Sequence, residues 1–473
     1  LNERFELSGR VATIASDGYI DRASSDLKSY FFQGLYKDQN TLIKALTFGG
    51  SEITYQSWYG IDSGTLATNR TYNKAGEMYN STGVLTGHYD NQVDNYKQDH
   101  FQFHWTQQYN SFWSSTIGLN YTYGRGYYEE YNDLWATQNI AFGDEVNFDY
   151  LQITPLVSGG ITIDTTENIS RKWLDNNFYV GTFSLNYDSN QTNAVFGGSY
   201  STYNGAHFGN LIWAQYASNA APNHRFYESN ADKKDFNLYS KVTQRLGTAW
   251  TVYADVQYRT VAYNSRGTVK GPEPIAIDDT LSFFNPKAGI TYRASEASRL
   301  YLSYAKAQRE PNRSDYENGT PKSESLNDFE AGWRFKEEKV QLQANLYYMD
   351  YENQLVLTGA LDAVGEPIRT NSGASYRFGL EIEAAIQFAE QWVWQPNLAV
   401  SSNKNKDFYF KRDGLLQNLG TTNISYSPSI VGASNLVYAP STVFRIALLS
   451  KYVGEQYMGN IDADLSKLEA YLT

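Results

Sequence analysis

The sequence of 473 residues contains no cysteine, only 3 methionines and 11 prolines, and no long apolar run. Without cysteine, the chain can form neither a disulfide framework nor a thiolate metal site. A membrane-spanning helix would need about 18 consecutive apolar residues, so none is predicted. Positive charge is also scarce: the net charge is −12. This balance argues against a nucleic-acid partner, because phosphate contacts need clustered lysine and arginine.

Aromatic residues, by contrast, are abundant. The chain has 40 Tyr, 24 Phe and 10 Trp, yet its mean hydropathy is only −0.54. A soluble enzyme of this size would normally bury a more aliphatic core and use less tyrosine. Tyrosine and tryptophan have an apolar ring and a polar hydroxyl or N–H group, which makes them typical of the aromatic girdles at the two membrane interfaces of a β-barrel.

Two runs joined by a tight turn carry the most specific pattern. Residues 101–109 alternate between a row with aromatic side chains and a polar row, and residues 113–123 repeat the pattern after a turn at 110–112. The first run places Phe101, Phe103, Trp105 and Tyr109 opposite Gln102, His104, Thr106 and Gln108. Strict period-two alternation predicts strands with one lipid-facing and one wet side. Strands can cross lipid only in a closed barrel, because every backbone group must be paired.

The connections between the predicted strands fall into a short and a long class. Short turns are predicted at 245–249, 294–297, 336–339 and 388–391, and long loops at about 51–96, 124–172, 204–233, 264–281, 306–326, 352–374 and 403–422. We therefore predict an all-β fold, a transmembrane antiparallel β-barrel with roughly 16–18 strands, short periplasmic turns and long extracellular loops. A secreted tyrosine-rich β-protein is the alternative, whereas a propeller would show a fixed blade period.

Several ordered blocks resemble a known family. They are S-D-G-Y-I-D (16–21), Y-D-N-Q-V-D-N-Y (89–96), G-R-G-Y-Y-E-E-Y (124–131), R-K-W-L-D-N-N-F (171–178), Y-N-G-A-H-F-G-N-L-I-W (203–213), D-V-Q-Y-R-T-V-A-Y (255–263), Q-R-E-P-N-R (308–313) and N-Q-L-V-L-T-G (353–359). Together they resemble the TonB-dependent outer-membrane receptors of Bacteroidetes. The resemblance implies a 22-stranded barrel in the bacterial outer membrane. It also implies a plug domain and a TonB box, neither of which is recognisable here, so residues 1–473 are interpreted as an incomplete barrel without plug and terminal strands.

The same resemblance implies a function. Such receptors import a scarce, large ligand (ferric siderophore, haem or cobalamin), using the proton-motive force through the TonB–ExbB–ExbD complex. The expected partners are that complex, outer-membrane lipid, the imported ligand and a possible surface lipoprotein. Two alternatives stay open: a passive porin or channel, and a surface binding receptor without transport of its own.

Eleven residues are predicted to bind the ligand, since aromatic rings stack on macrocycles or catecholates and arginine pairs with anionic groups. They are Trp58, Tyr59, His88, Tyr89, Tyr127, Tyr128, His207, Arg309, Arg313, Asp315 and Tyr316. All of them except Tyr89 have a structural alternative. The last four could form a salt-bridge network at the rim, and Trp58, Tyr59, Tyr127 and Tyr128 could belong to the outer aromatic girdle. His207, in a predicted glycine-flanked loop, and His88 could simply form hydrogen bonds within their loops.

No catalytic residue, resident cofactor or metal site is predicted. Serine, histidine and carboxylates occur, but none stands in a nucleophile-elbow or H-E-x-x-H context. We therefore expect a protein that is not an enzyme.

Overall fold

The computed structural model describes residues 3–141, 143–361, 367–371, 373–412 and 415–473. Within these ranges, no helix has both the length and the apolar character needed to span a bilayer. Strands account for 67% of the described residues, which confirms the all-β prediction. The chain divides into two compact units. The first unit comprises Leu1–Leu185, Gly197–Asn237 and Thr260–Leu281, and the second comprises Asn186–Phe196, Leu238–Arg259 and Ser282–Thr473.

The elements up to residue 163 belong to the first unit. In chain order they are β1 (Phe5–Ser16), β2 (Ser25–Lys37), β3 (Thr41–Tyr55), α1 (Ser63–Thr68), β4 (Glu77–Tyr79), β5 (Leu85–His88), β6 (Val93–Gln108), β7 (Trp113–Asn132), α2 (Leu134–Ala136), a π-helical turn (Thr137–Ala141), β8 (Leu156–Ser158) and β9 (Ile161–Ile163).

Longer strands follow. They are β10 (Asn168–Asp188), β11 (Thr192–Ala214), β12 (His224–Leu246), β13 (Trp250–Val269), β14 (Glu273–Arg293), β15 (Ser298–Arg309), α3 (Arg313–Glu317), β16 (Glu324–Lys336), β17 (Val340–Glu352), β18 (Leu355–Leu361), β19 (Pro367–Asn371), β20 (Ala374–Ala389) and β21 (Trp392–Asn405). The remaining elements are β22 (Tyr409–Arg412), β23 (Leu415–Asn418), β24 (Thr422–Asn423), β25 (Ile430–Tyr438), β26 (Ile446–Val453), β27 (Gln456–Tyr457), a 3-10 turn (Asp464–Ser466), β28 (Lys467–Leu468) and β29 (Tyr471–Leu472).

Consecutive long strands pair antiparallel. In the described residues, 19 strands share the main sheet, and two of them, β24 and β29, have only two residues each. The longer strands therefore number within the predicted range. In the first unit, β1, β2, β3, β6 and β7 pair in that order without a register shift. In the second, β14, β15, β16, β17, β20, β21, β25 and β26 do the same, with one bulge between β20 and β21.

Side chains in the short turns explain why the strands reverse there. The Asn110 side chain accepts hydrogen bonds from the backbone N–H groups of Phe112 (2.9 Å) and Trp113 (3.0 Å), which closes the β6–β7 turn. Asp38 does the same between β2 and β3, with Asn40 (2.9 Å) and Thr41 (2.8 Å) as donors. Such Asx turns replace backbone pairing at the reversal. All four short turns predicted from the sequence lie between paired strands.

The alternation predicted in β6 is confirmed. Phe101 and Phe103 are 48% and 39% exposed, although both are large apolar side chains. On the opposite side of the strand, Gln102 bonds the Asn120 amide oxygen at 3.1 Å across the β6–β7 pair. We call the side of Phe101 and Phe103 the aromatic face and the side of Gln102 the polar face. Residues directly opposite in register share a face.

Several long loops are shorter than predicted. The segment 204–233, expected to be a loop, is mostly strand, because β11 continues to Ala214 and β12 begins at His224. Likewise β13 and β14 extend through most of 264–281. Strand pairing continues beyond the alternating stretch, where water reaches both faces and the sequence no longer shows a period of two. His207 therefore lies within β11 rather than in a loop.

The segment between β7 and β10 has a small core of its own. Phe148, Leu151 and Ile153 are buried and pack with Leu211 of β11 and Phe226 of β12. Leu151 is completely buried, and the His224 imidazole lies 3.0 Å from its carbonyl oxygen. This long connection is therefore anchored on the ends of two strands.

Candidate functional site

Four of the predicted residues lie near the long-loop end of β7. Three of them, Trp58, Tyr59 and Tyr128, pack together, whereas Tyr127 lies on the opposite face of the strand. Asn120 of β7 lies opposite Gln102 and therefore on the polar face. Tyr128 is eight residues further along the same strand, and an even spacing in a strand returns the side chain to the same face, so Tyr128 also lies on the polar face. The Trp58 ring packs edge-on against Tyr128, with ring centroids 5.7 Å apart, and 6.4 Å from Tyr59. Tyr127 points the other way and packs on Trp173 at 4.5 Å. The two neighbouring tyrosines therefore do not share a surface.

Two acid–base pairs accompany these rings. On the polar face, the Lys172 ammonium lies 3.2 Å from the Glu130 carboxylate, and both side chains are only 10% exposed. The same ammonium lies 5.3 Å from the centre of the Tyr128 ring. On the aromatic face, Arg171 donates to Glu129 at 2.5 Å and lies 4.4 Å from the Tyr127 ring. In each of the two pairs, one cation contacts one carboxylate and one ring.

Tyr59 joins the polar-face group from the connection between β3 and β6. Its hydroxyl lies 3.5 Å from Glu130, and the Lys74 ammonium lies 4.7 Å from its ring. Burial, with a smaller contribution from the Glu130 carboxylate, raises the pKa of Tyr59 to about 12. The Tyr59 hydroxyl therefore keeps its proton and can donate it in a hydrogen bond. We name Trp58, Tyr59, Tyr128, Glu130 and Lys172 the polar-face cluster.

Tyr89 and His88 are held by other partners. The Tyr89 hydroxyl donates to Glu129 at 2.5 Å, and its ring lies 5.8 Å from that of Tyr131. His88 pairs with Glu77 across the β4–β5 hairpin, and burial lowers the pKa of its imidazole. Tyr89 therefore belongs with Glu129 rather than with the polar-face cluster. His207 lies in β11, and His88 lies at the end of β5.

The four predicted residues of the second unit lie around α3, and three of them form ion pairs. Arg309 contacts Glu324 at 3.2 Å, and Arg313 contacts Glu317 at 2.5 Å within α3. Asp315 exchanges hydrogen bonds with Asn312 in a capping box and also lies 3.3 Å from Arg369. Tyr316 is the next residue of the helix. These contacts are of the kind expected of a salt-bridge network.

Sequence reasoning missed the strongest pair of the second unit. Both guanidinium nitrogens of Arg259 in β13 lie 2.8 Å from the two oxygens of Glu310, which follows β15. This two-bond geometry gives both affinity and orientation. Arg259 and Glu310 stand in two of the blocks that carried the family resemblance, D-V-Q-Y-R-T-V-A-Y and Q-R-E-P-N-R. A search for oppositely charged residues in different blocks of this kind could have predicted the pair.

The Arg259–Glu310 fork gives a testable prediction. Arg259→Lys keeps the charge, but an ammonium cannot reproduce the two parallel bonds. We expect the free energy of unfolding to fall by about 1.5–3 kcal/mol, the range for one hydrogen bond between charged groups. Denaturant titration of the refolded protein would measure it. Arg266→Lys, in the exposed Arg266–Asp278 pair, is the control and should change stability by less than about 0.5 kcal/mol.

Among the described residues, no group of three or more histidine or acidic side chains is placed to hold a metal ion.

The comparisons with known proteins settle the family. The family model described as TonB dependent receptor-like, beta-barrel, matches residues 26–473. This chain belongs to the TonB-dependent receptor β-barrel family. It is therefore an outer-membrane receptor of the TonB-dependent type. Because the strands of such barrels turn apolar side chains to lipid and polar ones to the lumen, we assign the aromatic face to lipid and the polar face to the lumen. No curated protein matches the sequence.

Solved structures have the same fold at low identity. The ferric-catecholate import receptor Fiu from E. coli K12, in its closed form, is 14% identical with a TM-score of 0.62, over 100% of this chain and 70% of that one. The copper transporter OprC is 13% identical, with a TM-score of 0.68, over 100% and 68%. The ferric citrate transporter FecA, unliganded, is 12% identical, with a TM-score of 0.69, over 100% and 65%. At these identities the likeness shows the fold alone.

Proposed function

We propose that this receptor imports a ferric siderophore, and that the proton-motive force drives the import through TonB and ExbB–ExbD. The observation that carries the proposal is the polar-face cluster, which presents Trp58, Tyr59 and Tyr128 on the lumen side at the long-loop end of β7. Aromatic faces of this kind stack on catecholate or macrocyclic ligands. The names of the neighbours Fiu and FecA, a ferric-catecholate and a ferric citrate receptor, support the same class of ligand.

The cluster suits ligand contact better than the ion pairs around α3 do. Arg309 and Arg313 are already paired with Glu324 and Glu317, so a ligand would have to displace a carboxylate. Trp58 and Tyr59, by contrast, are partly exposed and offer ring surface. We therefore propose Trp58, Tyr59 and Tyr128 as the primary contacts and Arg309, Arg313, Asp315 and Tyr316 as supports of the second unit.

An uptake experiment tests the proposal. The full-length receptor is produced in cells that lack other iron receptors, and uptake of radiolabelled ferric citrate and of a ferric catecholate is followed. Uptake of at least one of them should stop when a proton ionophore is added or TonB is deleted. Uptake that continues unchanged under both conditions would support the passive channel and refute energised import.

Replacing Trp58 tests the contact itself. Trp58→Ala should weaken binding of the imported chelate about 2- to 12-fold, equivalent to about 0.5–1.5 kcal/mol for one aromatic contact. Trp173→Ala is the matched control, because Trp173 packs on Tyr127 on the opposite face. Equilibrium binding to the purified receptor measures both. Equal losses for the two variants would show that Trp58 acts through the fold and not through the ligand.

A further inference from the structure

A cavity of about 360 Å³ lies in the strand wall of the second unit, on the side away from lipid. In β20, Phe378 and Leu380 are large exposed apolar side chains, so they belong to the lipid-facing side. Arg377 and Glu381 alternate with them along the strand and therefore point into the lumen. Both line the cavity, together with Glu330 of β16. Small-molecule sites enclose about 300–1,000 Å³, so this cavity has room for one small polar group and not for a whole bulky chelate.

The Arg377 guanidinium at this cavity has donors to spare. It donates to the Ser427 hydroxyl at 3.3 Å and lies 6.0 Å from the centre of the Tyr351 ring. Within the described ranges no carboxylate forms an ion pair with it, whereas Arg309 and Arg369 of the same unit are both paired. A guanidinium is a planar fork that matches the two oxygens of a carboxylate. Arg377 can therefore bind an anionic group without displacing a carboxylate of the protein.

The two glutamates lie deeper in the cavity. Glu381 is four residues further along β20 than Arg377, about 13 Å toward the short-turn end. Glu330 lies opposite Tyr347, and Tyr347 lies opposite Gly379, so Glu330 is at a depth between those of Arg377 and Glu381. Among the described lining residues, the charges are this one guanidinium and these two carboxylates. A single carboxylate can therefore pair with the arginine, whereas a group with several negative charges would be repelled by the glutamates.

The long-loop end of the cavity has an uncommon backbone conformation. Tyr426 has a φ of 51°, a left-handed value that few residues other than glycine adopt. Its backbone N–H donates to the Tyr457 carbonyl oxygen at 2.8 Å, and its side chain is 53% exposed beside the cavity. Strain of this kind persists where the surroundings enforce it and is common at ligand clamps. Because Ser427 follows directly and contacts Arg377, the strained turn helps to orient the guanidinium.

We infer that this cavity binds a free carboxylate of the imported chelate and that Arg377 holds it. The site presupposes the proposed import of a ferric chelate, and it adds a class of ligand: a chelate with a carboxylate arm that is not bound to the iron. A ferric tris-catecholate has no such arm, because all its anionic oxygens bind the metal. Its several negative charges would also be repelled by Glu330 and Glu381.

Equilibrium binding to the purified full-length receptor tests the role of the residue. Arg377→Gln should weaken binding of ferric citrate at least about tenfold, as expected for the loss of a hydrogen bond to a charged group, and change binding of a ferric tris-catecholate by less than about twofold. Arg334→Gln is the matched control. Arg334 also faces the lumen and has no carboxylate partner among the described residues, but it lies outside the cavity, 5.2 Å from the Tyr301 ring. It should bind both chelates like the wild type.

Two outcomes of this experiment would overturn the proposal. Unchanged binding of ferric citrate by Arg377→Gln would show that no carboxylate of the chelate reaches the cavity. Equal losses for ferric citrate and the tris-catecholate would show that Arg377 acts through the fold.

A second measurement needs neither iron nor a variant. Phenylglyoxal modifies arginine side chains, and mass spectrometry of peptides from the wild-type receptor gives the rate at each arginine. Citrate should slow the modification of Arg377 at least about threefold relative to Arg334, whereas triethyl citrate, which has the same skeleton without the charges, should not. Equal rates with and without citrate would refute the carboxylate site. Protection by citrate in a receptor that imports neither chelate would refute the proposed import and leave the site standing.

Discussion

Replacing Phe103 with arginine is expected to lower the free energy of unfolding by about 2–4 kcal/mol, the cost of a basic residue at the middle of the bilayer in a barrel. Phe103 is 39% exposed on the aromatic face of β6, between Ala45 of β3 and Leu119 of β7. Its exposed ring faces hydrocarbon, so a guanidinium there would lose its hydration. The variant and the wild type are refolded into vesicles and unfolded with guanidinium chloride, and tryptophan fluorescence gives the free energy of unfolding of each.

His104→Arg is the matched control, one residue along the same strand. His104 lies on the polar face, where its imidazole is 3.3 Å from the Gln102 amide oxygen. A guanidinium at this position stays in the wet lumen, so the expected cost is below about 1 kcal/mol. Equal costs at positions 103 and 104 would contradict the strand register and with it the assignment of the two faces.

The part of the fold that meets lipid was predictable from the sequence, because lipid and water on opposite faces force a period of two. The runs at 101–109 and 113–123 predicted β6 and β7, and the turn at 110–112 lies between them. The far ends of the strands were not predictable in this way. In β11 and β12, residues 204–214 and 224–233 are strand, although the sequence there indicated a loop. Backbone pairing continues there without a lipid face to impose a pattern.

The candidate site was predictable by residue type but not by grouping. Tyrosine and tryptophan in the sequence indicated the region around Trp58 and Tyr128. The sequence prediction also grouped Tyr127 with these residues, which was wrong because adjacent residues of a strand point to opposite faces. Counting from Tyr121 on the aromatic face would have separated Tyr127 from Tyr128. No local pattern, however, could reveal that Lys172 meets Glu130 across a connection of some forty residues. That contact depends on how β7 and β10 pair.

The Lys172–Glu130 pair gives the other large expected effect. Lys172→Met keeps an unbranched side chain of nearly the same length but removes the ammonium, so the Glu130 carboxylate stays buried without its cation. Removing one member of a buried ion pair costs about 3–5 kcal/mol. Because the pair lies at the end of β7 and β10, we expect the loss as local opening rather than global unfolding. Hydrogen exchange of the amides in 126–132 and 168–175 measures the opening free energy.

Two further variants separate this effect from a general weakening of the strand ends. Arg125→Met, in the exposed Arg125–Asp175 pair at 3.5 Å that also joins β7 to β10, should cost no more than about 1 kcal/mol. The double variant Lys172→Met with Glu130→Leu should recover most of the protection, because no charge is left buried. If Lys172→Met costs no more than Arg125→Met, water reaches Glu130 freely. The polar-face cluster would then be a hydrated surface, on which aromatic contacts to a ligand are weak. It would not be the water-excluded surface that the proposed ligand contact requires.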